Sequence, residues 1–209
     1  MRKVLVLAPH TDDAEIGCGG TLARFVEEGK EIFVAAFSTA EDSLPPGAPP
    51  GLLRDEFHEA MDLLGIPSER RFVYDYRVRQ LSYHRQEVLE ELVRLRDLIH
   101  PDTVLVPSSN DVHQDHQVIS NEVARAFRDC TVLGYELPWN HYTFATHAFV
   151  TLEPRHLDMK WKALQVYKSQ LELGRPYFSW ELIEGLARVR GVQVRSEFAE
   201  AFEVIRYKI

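Results

Sequence analysis

Cysteine is scarce in this chain, which has only Cys18 and Cys130 among 209 residues. One pair cannot form the disulfide framework of a small secreted protein, and its spacing excludes a Cys-x-x-Cys metal motif. No stretch approaches the roughly 20 apolar residues that are needed to span a membrane. The first apolar run, residues 4–8, is too short for a secretory signal and has no small-residue cleavage site after it. We therefore expect a cytoplasmic protein without membrane insertion.

Positive charge is also in deficit, with 24 Lys and Arg against 32 Asp and Glu and a net charge of −8. Binding to a phosphate backbone requires a basic face, so nucleic acid is excluded as the main partner. A local cationic pocket for a small anionic substrate stays compatible with this net charge. Hydrophobic residues make up 45% of the chain, enough for the core of a single domain over residues 1–209.

Short apolar segments alternate with amphipathic ones along most of the chain. We predict strands at residues 4–8, 31–37, 71–74, 103–107 and 131–135, and helices at 17–28, 52–64, 84–99 and 115–127. Further helices near 155–169 and 178–190 and a final strand in "SEFAEAFEVIRYKI" complete the prediction. Strand–helix alternation with apolar strands predicts an α/β, Rossmann-like fold with a mostly parallel sheet and helices on both faces.

Polar side chains with metal-binding capacity follow two of the predicted strands. His10, Asp12 and Asp13 come after the first strand, and the segment "SSNDVHQDH" follows residues 103–107. Ligands of open parallel sheets bind outside the carboxyl ends of the strands. The two clusters can therefore meet at one edge of the sheet, where the second would contribute His113, Asp115 and His116.

This donor set suits a catalytic divalent metal. Zinc accepts imidazole nitrogen and carboxylate oxygen, and a catalytic site keeps three protein ligands and one open position. Two histidines and one aspartate would satisfy that pattern and leave a carboxylate and an imidazole for proton transfer and charge stabilisation. Iron(II) or another divalent ion is compatible with the same donors. Taken alone, Asp12 or Asp115 would be interpreted as a turn or helix-capping residue. Two such clusters, each after a buried strand, favour a metal site instead.

The glycines of "GCGG" raise a nucleotide-binding alternative that the sequence disfavours. A dinucleotide motif needs a third glycine where Leu22 stands, and no Gly-Lys-Ser/Thr follows for a P-loop. The adjacent aspartates would also repel a pyrophosphate. We interpret the glycines as residues that let the start of the first helix pass close to the metal loop.

The paired motifs resemble those of the PIG-L/LmbE-like family of zinc-dependent N-deacetylases. The family has His-Pro-Asp-Asp after the first strand and His-x-Asp-His later; this chain has "HTDD" and "HQDH". The resemblance extends to "RDEFHEAMDLLG", "HPDTVLVP", "KALQVYKSQ" and "FAEAFEVIR" and so covers nearly the whole chain. The difference is Thr11, which stands where the family usually has proline. Proline would stiffen the loop, and threonine should leave the ligands intact.

The resemblance also implies roles for individual residues. It implies zinc ligands at His10, Asp13 and His116, and a general base at Asp12. Protonated His113 would stabilise the tetrahedral oxyanion, and Asp115 would hold the His113 imidazole in orientation. Arg54, which matches a family arginine at the mouth of the active site, would contact substrate; a solvated helix residue is the alternative.

The reaction implied is removal of an acetyl group from a small N-acetylglucosamine-type amino-sugar conjugate, with release of acetate. The alternatives are another zinc-dependent acyl or phosphoester hydrolase, and a metal-containing glycan-binding protein without turnover. Several family members form homo-oligomers, so the resemblance leaves a homo-oligomer open for this chain.

Two further groups of side chains are open to two interpretations. Trp139, His141 and Tyr142 could stack on a sugar ring or pack at the edge of the sheet. Arg77 and Arg85, with the nearby Arg79, could line a pocket for an acidic aglycone, although a solvated face is the more usual place for such residues.

Overall fold

Seven strands account for the central layer of the protein. A computed structural model describes residues 1–209, with strands β1 (Lys3–His10), β2 (Glu31–Ser38), β3 (Arg71–Val73), β4 (Thr103–Pro107), β5 (Thr131–Tyr135), β6 (Ala148–Leu152) and β7 (Phe198–Arg206). They form one sheet in the order β3-β2-β1-β4-β5-β7-β6. Strands β1 to β5 are parallel, whereas β7 runs antiparallel to both β5 and β6.

Helices cover both faces of this sheet. They are α1 (Asp13–Glu27), α2 (Leu52–Leu63), α3 (Arg85–Ile99), α4 (Gln114–Ala126), α5 (Pro154–Gln165), α6 (Lys168–Glu172) and α7 (Trp180–Gln193). Successive residues of β1 point to opposite sides. Val4 and Val6 join a buried cluster with residues of α1, α2 and α5, and Leu5 and Leu7 join one with residues of α3 and α4. The predicted α/β fold class, with helices on both faces of a mostly parallel sheet, is confirmed.

The strand order places a crevice between β1 and β4. From β1 the chain builds outward through β2 and β3, then returns to add β4 on the other side of β1. Leu5 pairs with Val104 and Val6 with Leu105, so the carboxyl ends of the two strands lie side by side. This reversal of direction is where open α/β sheets bind ligands. Both polar clusters follow these two strands.

The structure differs from the predicted elements mainly in the last third. The short strand β6 was not predicted, because it pairs only with β7 and most of its residues are half-exposed. The helix predicted over 155–169 is two helices, separated at Val166 and Tyr167, where the Tyr167 side chain is fully buried. No helix is both long and apolar enough to cross a bilayer.

The glycine-rich segment lies inside α1, which begins at Asp13 and not at Gly17. A Cβ atom on Gly17 would lie 2.3 Å from the Tyr135 ring, and one on Gly20 would lie 2.5 Å from Leu152. The backbone departs from helical geometry at Cys18 (φ −146°, ψ 23°). The glycines therefore let α1 pack closely against β5 and β6, so the interpretation that they serve the approach to the metal loop is wrong.

Candidate metal centre and active site

Three donor atoms from the two polar clusters converge at the β1–β4 crevice. His10 Nδ1 lies 3.0 Å from Asp13 Oδ2, and His116 Nε2 lies 3.3 Å from that oxygen. The two imidazole nitrogens are 3.3 Å apart. All three residues are buried. The first helical residue of α1 and the third of α4 thus meet the last residue of β1.

These distances fit a tetrahedral metal site. Ligand atoms bound to zinc at about 2.0–2.1 Å in a tetrahedron lie about 3.3–3.4 Å from one another. The three separations among His10, Asp13 and His116 fall at or slightly below that value. Two neutral imidazoles and one carboxylate are also a common ligand set for a catalytic divalent ion. The residues present can therefore hold such an ion.

A second set of donors lies at the same place. His10, His113 and His116 offer nitrogen atoms that all lie within 4.8 Å of one another. This set is wider than the set that contains Asp13. The Nδ1 atom of His113 already accepts the backbone N–H of Asp115, which leaves only Nε2 available to a ligand. The shorter distances favour Asp13 over His113 as the third ligand.

A carboxylate lies behind each of the two ligand imidazoles. Asp115 Oδ2 lies 3.0 Å from His10 Nε2, and Asp111 Oδ2 lies 2.7 Å from His116 Nδ1. Such contacts fix the tautomer and orientation of a metal ligand. The Asp115 carboxylate also accepts the backbone N–H groups of Arg79 and Leu81. Both acids are almost fully buried, so the two rings are held firmly.

The contact made by the Asp115 carboxylate differs from the expectation. Its carboxylate contacts His10 and not His113, which instead receives the backbone N–H of Asp115 at its Nδ1 atom, 3.2 Å away. The reason is that His113 caps the N-terminus of α4, while the Asp115 side chain turns back towards β1. Asp115 therefore orients the His10 ring, and the expectation that its carboxylate orients His113 is wrong.

The protonation of His113 also differs from the expectation. Burial and the charges of His116 and His10 lower the pKa of His113 to about 4. An Nδ1 atom that accepts a hydrogen bond carries no proton, so the neutral ring carries its proton on Nε2. His113 is thus a neutral N–H donor and not an imidazolium.

The two other imidazoles have an environment that favours positive charge. Burial alone would lower the pKa of His10, but Asp13 and Asp115 outweigh it and raise that pKa to about 9. Burial is likewise overcome at His116, where Asp13 and Asp111 raise the pKa to about 10. Burial opposes ionisation of Asp13 as well, yet the two rings hold the pKa of its carboxyl well below the usual range. The same negative charges would favour a metal cation.

Asp12 lies beside this cluster in the wall of a cavity of about 320 Å³. It precedes the first residue of α1, but its side chain does not cap the helix. Burial and the charge of Asp13 raise the pKa of Asp12 to about 6. A half-buried carboxylate with such a pKa can exchange a proton near neutral pH. Asp12 thus differs from Asp13, whose pKa is lowered and whose Oδ2 atom contacts the rings of His10 and His116.

The loop that carries Thr11 and Asp12 is anchored by the buried side chain of Tyr167. The Tyr167 hydroxyl oxygen lies 2.6 Å from the Thr11 carbonyl oxygen and 2.6 Å from Glu15 Oε1. Burial raises the pKa of Glu15 to about 8, which keeps this acid neutral at pH 7. Thr11 is itself buried. The contact through Tyr167 restrains the backbone where the family usually has proline.

The rest of the cavity is built by residues outside the "HTDD" and "HQDH" motifs. Its lining includes Val78, Trp139, Asn140, Gln170, Arg175 and Tyr177. Of the three side chains in "WNHY" that could stack on a sugar, only Trp139 lines the cavity; His141 stacks on Phe144, and Tyr142 is 96% exposed.

Arg54 is not brought to the cavity. Its guanidinium forms an ion pair with Asp75, and the lining residue of α2 is its neighbour Leu53. Its contact with substrate stays a prediction.

Sequence reasoning missed Asp111, although its place in "NDVHQDH", five residues before His116, was a usable signal. It also missed Arg175 and Tyr177, for which no motif gave a signal.

Comparison with known proteins agrees with this geometry. The family model "PIG-L: GlcNAc-PI de-N-acetylase" matches residues 5–127, more than half of the chain and both polar clusters. The "Uncharacterized deacetylase YaiS" of Escherichia coli is 25% identical over 174 residues, 80% of this chain and 91% of that protein. The "Diacetylchitobiose deacetylase" of Thermococcus kodakarensis is 25% identical over 210 residues, 90% of this chain and 76% of that protein.

A solved structure agrees over the full length. The conserved protein TT1542 of Thermus thermophilus superposes with a TM-score of 0.84 at 25% identity, covering 100% of this chain and 97% of that one. The family match, the shared fold and the meeting of the two motifs at one crevice lead to the same conclusion. This chain belongs to the PIG-L family.

Proposed function

We propose that this protein is a metal-dependent hydrolase that removes the N-acetyl group from an amino-sugar conjugate and releases acetate. One observation carries the proposal: the donor atoms of His10, Asp13 and His116 lie within 3.3 Å of one another beside a cavity that also contains Asp12. A purely structural zinc site would close all four positions with protein ligands and would need no adjacent free carboxylate.

His10, Asp13 and His116 would hold the ion, with Asp115 and Asp111 orienting the two rings. When bound, a zinc ion supplies Lewis acidity that polarises an amide carbonyl and makes water more acidic. Iron(II) or another divalent ion could supply the same chemistry through these donors.

Asp12 performs the proton transfers. Its carboxylate takes a proton from the attacking water as the oxygen forms a bond to the carbonyl carbon. It then delivers that proton to the amide nitrogen as the carbon–nitrogen bond breaks, which gives acetate and a free amine. An amide nitrogen leaves only when protonated, so the second transfer is as necessary as the first. Asp12 can do both because it is not one of the three clustered donors.

His113 stabilises the oxyanion that forms from the carbonyl oxygen. Its Nδ1 accepts the N–H of Asp115, so its Nε2–H is available to donate a hydrogen bond. A preorganised neutral donor of this kind stabilises developing negative charge without a proton transfer of its own.

The substrate class is supported by the family description and by the names of two relatives, which are deacetylases. A small N-acetylglucosamine-type conjugate agrees with these descriptions and with a cavity of about 320 Å³. We keep three finer predictions within this proposal: a single domain over residues 1–209, a cytoplasmic location and a capacity to form homo-oligomers.

The test is acetate release from a panel of N-acetylglucosamine conjugates by zinc-loaded wild type and Asp12→Asn. We expect the variant to keep its zinc, measured by metal analysis, and to lose about 10²- to 10⁴-fold in kcat. Asp129→Asn, at a fully exposed aspartate, is the matched control and should behave as wild type.

Other outcomes would replace the proposal. Full activity in Asp12→Asn would remove Asp12 from the reaction. Phosphate release without acetate would favour a phosphoesterase, and glycan binding without any hydrolysis would favour a metal-containing binding protein.

A further inference from the structure

One side of the cavity carries a positive charge that the proposed reaction does not use. Arg175 is the only lysine or arginine in the cavity lining. Its guanidinium donates a hydrogen bond to the Tyr177 hydroxyl and forms no ion pair. By contrast, Arg77 and Arg85 pair with Asp42 and Glu122, and neither lines the cavity. Arg175 is thus a free cation facing the substrate space.

The backbone on both sides of Arg175 is anchored. Gly174, two residues beyond the end of α6, lies in the left-handed region at φ +63°, and its N–H donates to the Leu171 carbonyl oxygen. On the other side, Phe178 is buried and its N–H donates to the Arg175 carbonyl oxygen. Ser179 then caps α7. The chain therefore presents Arg175 from a short turn held between two helices.

Two aromatic rings lie next to this cation. Trp139 and Tyr177 stack with ring centroids 4.1 Å apart and an interplanar angle of 13°, and Trp139 is 38% exposed. Aromatic faces of this kind pack against the apolar faces of sugar rings and linkers. We call Trp139, Arg175 and Tyr177 the Arg175 wall. All three lie outside residues 5–127, so the family match does not account for them.

Burial makes an unpaired guanidinium costly. Arg175 is half-buried, and partly desolvated arginine is normally matched by a carboxylate or phosphate. Asp12 is a carboxylate in the lining of the same cavity. Yet the two side chains form no ion pair, so the fork of hydrogen-bond donors on Arg175 is left for a ligand.

We infer that the Arg175 wall is a subsite for an anionic group, a carboxylate or a phosphate, that the substrate carries next to its acetamido sugar. This inference rests on the proposed function and narrows its substrate class to acidic conjugates. Arg175 supplies the counter-charge, and the stacked rings of Trp139 and Tyr177 contact the sugar or its linker. The site selects such a substrate despite the net charge of −8, because the cation lies inside the cavity.

The experiment compares three N-acetylglucosamine compounds: the neutral methyl glycoside, the 1-phosphate, and a glycoside with a carboxyalkyl aglycone. Binding is measured by calorimetry and acetate release by steady-state kinetics, for zinc-loaded wild type, Arg175→Gln and Arg175→Lys. Arg128→Gln removes the same charge from an exposed position outside the cavity and is the matched control.

We expect wild type to bind at least one acidic compound about 10- to 100-fold more tightly than the neutral one. Arg175→Gln should abolish that preference through Kd and KM for the acidic compounds. Arg175→Lys should keep part of the preference for acidic compounds, because lysine keeps the positive charge but lacks the paired N–H donors of the guanidinium. The two acidic compounds then show whether phosphate or carboxylate is preferred.

The inference is overturned if wild type shows no preference for either acid, or if nothing binds. It is also overturned if Arg175→Gln weakens neutral and acidic compounds equally, since Arg175 would then serve the reacting centre or the fold. A binding preference that depends on Arg175, without acetate release from any compound, would support the subsite and refute the deacetylase proposal.

Discussion

The two sides of the cavity are built in opposite ways. One side consists of the ligand loops, residues 10–13 and 111–116, which follow adjacent parallel strands. Apart from half-buried Asp12 and His113, their histidines and aspartates are buried, and several short contacts join them. The other side is the Arg175 wall, whose residues come from two distant connections in the antiparallel third of the chain and are partly exposed. Under the two proposals above, catalysis and substrate choice belong to separately built parts of the fold.

The strongest test of that separation is removal of a metal ligand. Asp13→Ala should lose zinc binding and lower acetate release by about 10³-fold or more, because in the proposed reaction the ion would contribute several kcal/mol. His113→Ala should keep zinc and lower kcat instead. Zinc content by metal analysis and kcat at saturating zinc are the measurements. If His113→Ala loses zinc as completely as Asp13→Ala, the three histidines are the ligand set.

The next largest effect should come from the acids behind the ligands. Asp111→Asn and Asp115→Asn each keep the side-chain shape but weaken the orientation of one ring, so zinc affinity should fall about 10- to 100-fold. Competition with a chromophoric chelator measures this, with Asp129→Asn as the exposed control. An unchanged affinity in both variants would mean that the ligand rings need no support.

A packing variant separates the glycines from the chemistry. Gly17→Ala places a methyl group against the Tyr135 ring and should lower the free energy of unfolding by about 1–3 kcal/mol, measured in urea. Gly185→Ala, in α7 with nothing near its added methyl, should raise it by about 0.5–1 kcal/mol. Zinc affinity of folded Gly17→Ala should match wild type. A large loss of affinity would instead assign the glycine to the metal loop.

The smallest effect concerns the aromatic part of the wall. Trp139→Ala should raise KM about 2- to 10-fold with little change in kcat, because a stacking contact contributes about 0.5–1.5 kcal/mol. Tyr142→Ala is the control, since that side chain is 96% exposed and outside the cavity. A fall in kcat without a change in KM would place Trp139 with the reacting groups.

Much of the first side could be predicted from the sequence. His10, Asp13 and His116 follow apolar strands, and parallel topology forces the carboxyl ends of neighbouring strands together. The start of α1 could not be predicted, because the low helix propensity of Gly17 to Gly20 is overridden by packing against Tyr135 and Leu152. The contact between Asp115 and His10 could not be predicted either. It depends on how far the Asp115 side chain reaches across the crevice, and the spacing of residues in the sequence does not determine that.

The second side could hardly be predicted at all. Trp139 and Arg175 are separated by an edge strand and two helices, so no short motif joins them. The edge strand β6 pairs only with β7, and its mostly half-exposed residues give no clear alternation. Arg54 illustrates the converse, since a matching motif predicted a substrate contact while the structure pairs the residue with Asp75.

The Asp115 carboxylate is shared between the His10 ring and the backbone of Arg79 and Leu81, which lie in the connection between β3 and α3. Val78, from that connection, forms part of the cavity surface. One carboxylate therefore joins the orientation of a proposed metal ligand to the position of a segment in the cavity wall. If a bound cation changes substrate affinity through residues 78–81 by some factor, a bound substrate changes cation affinity by the same factor.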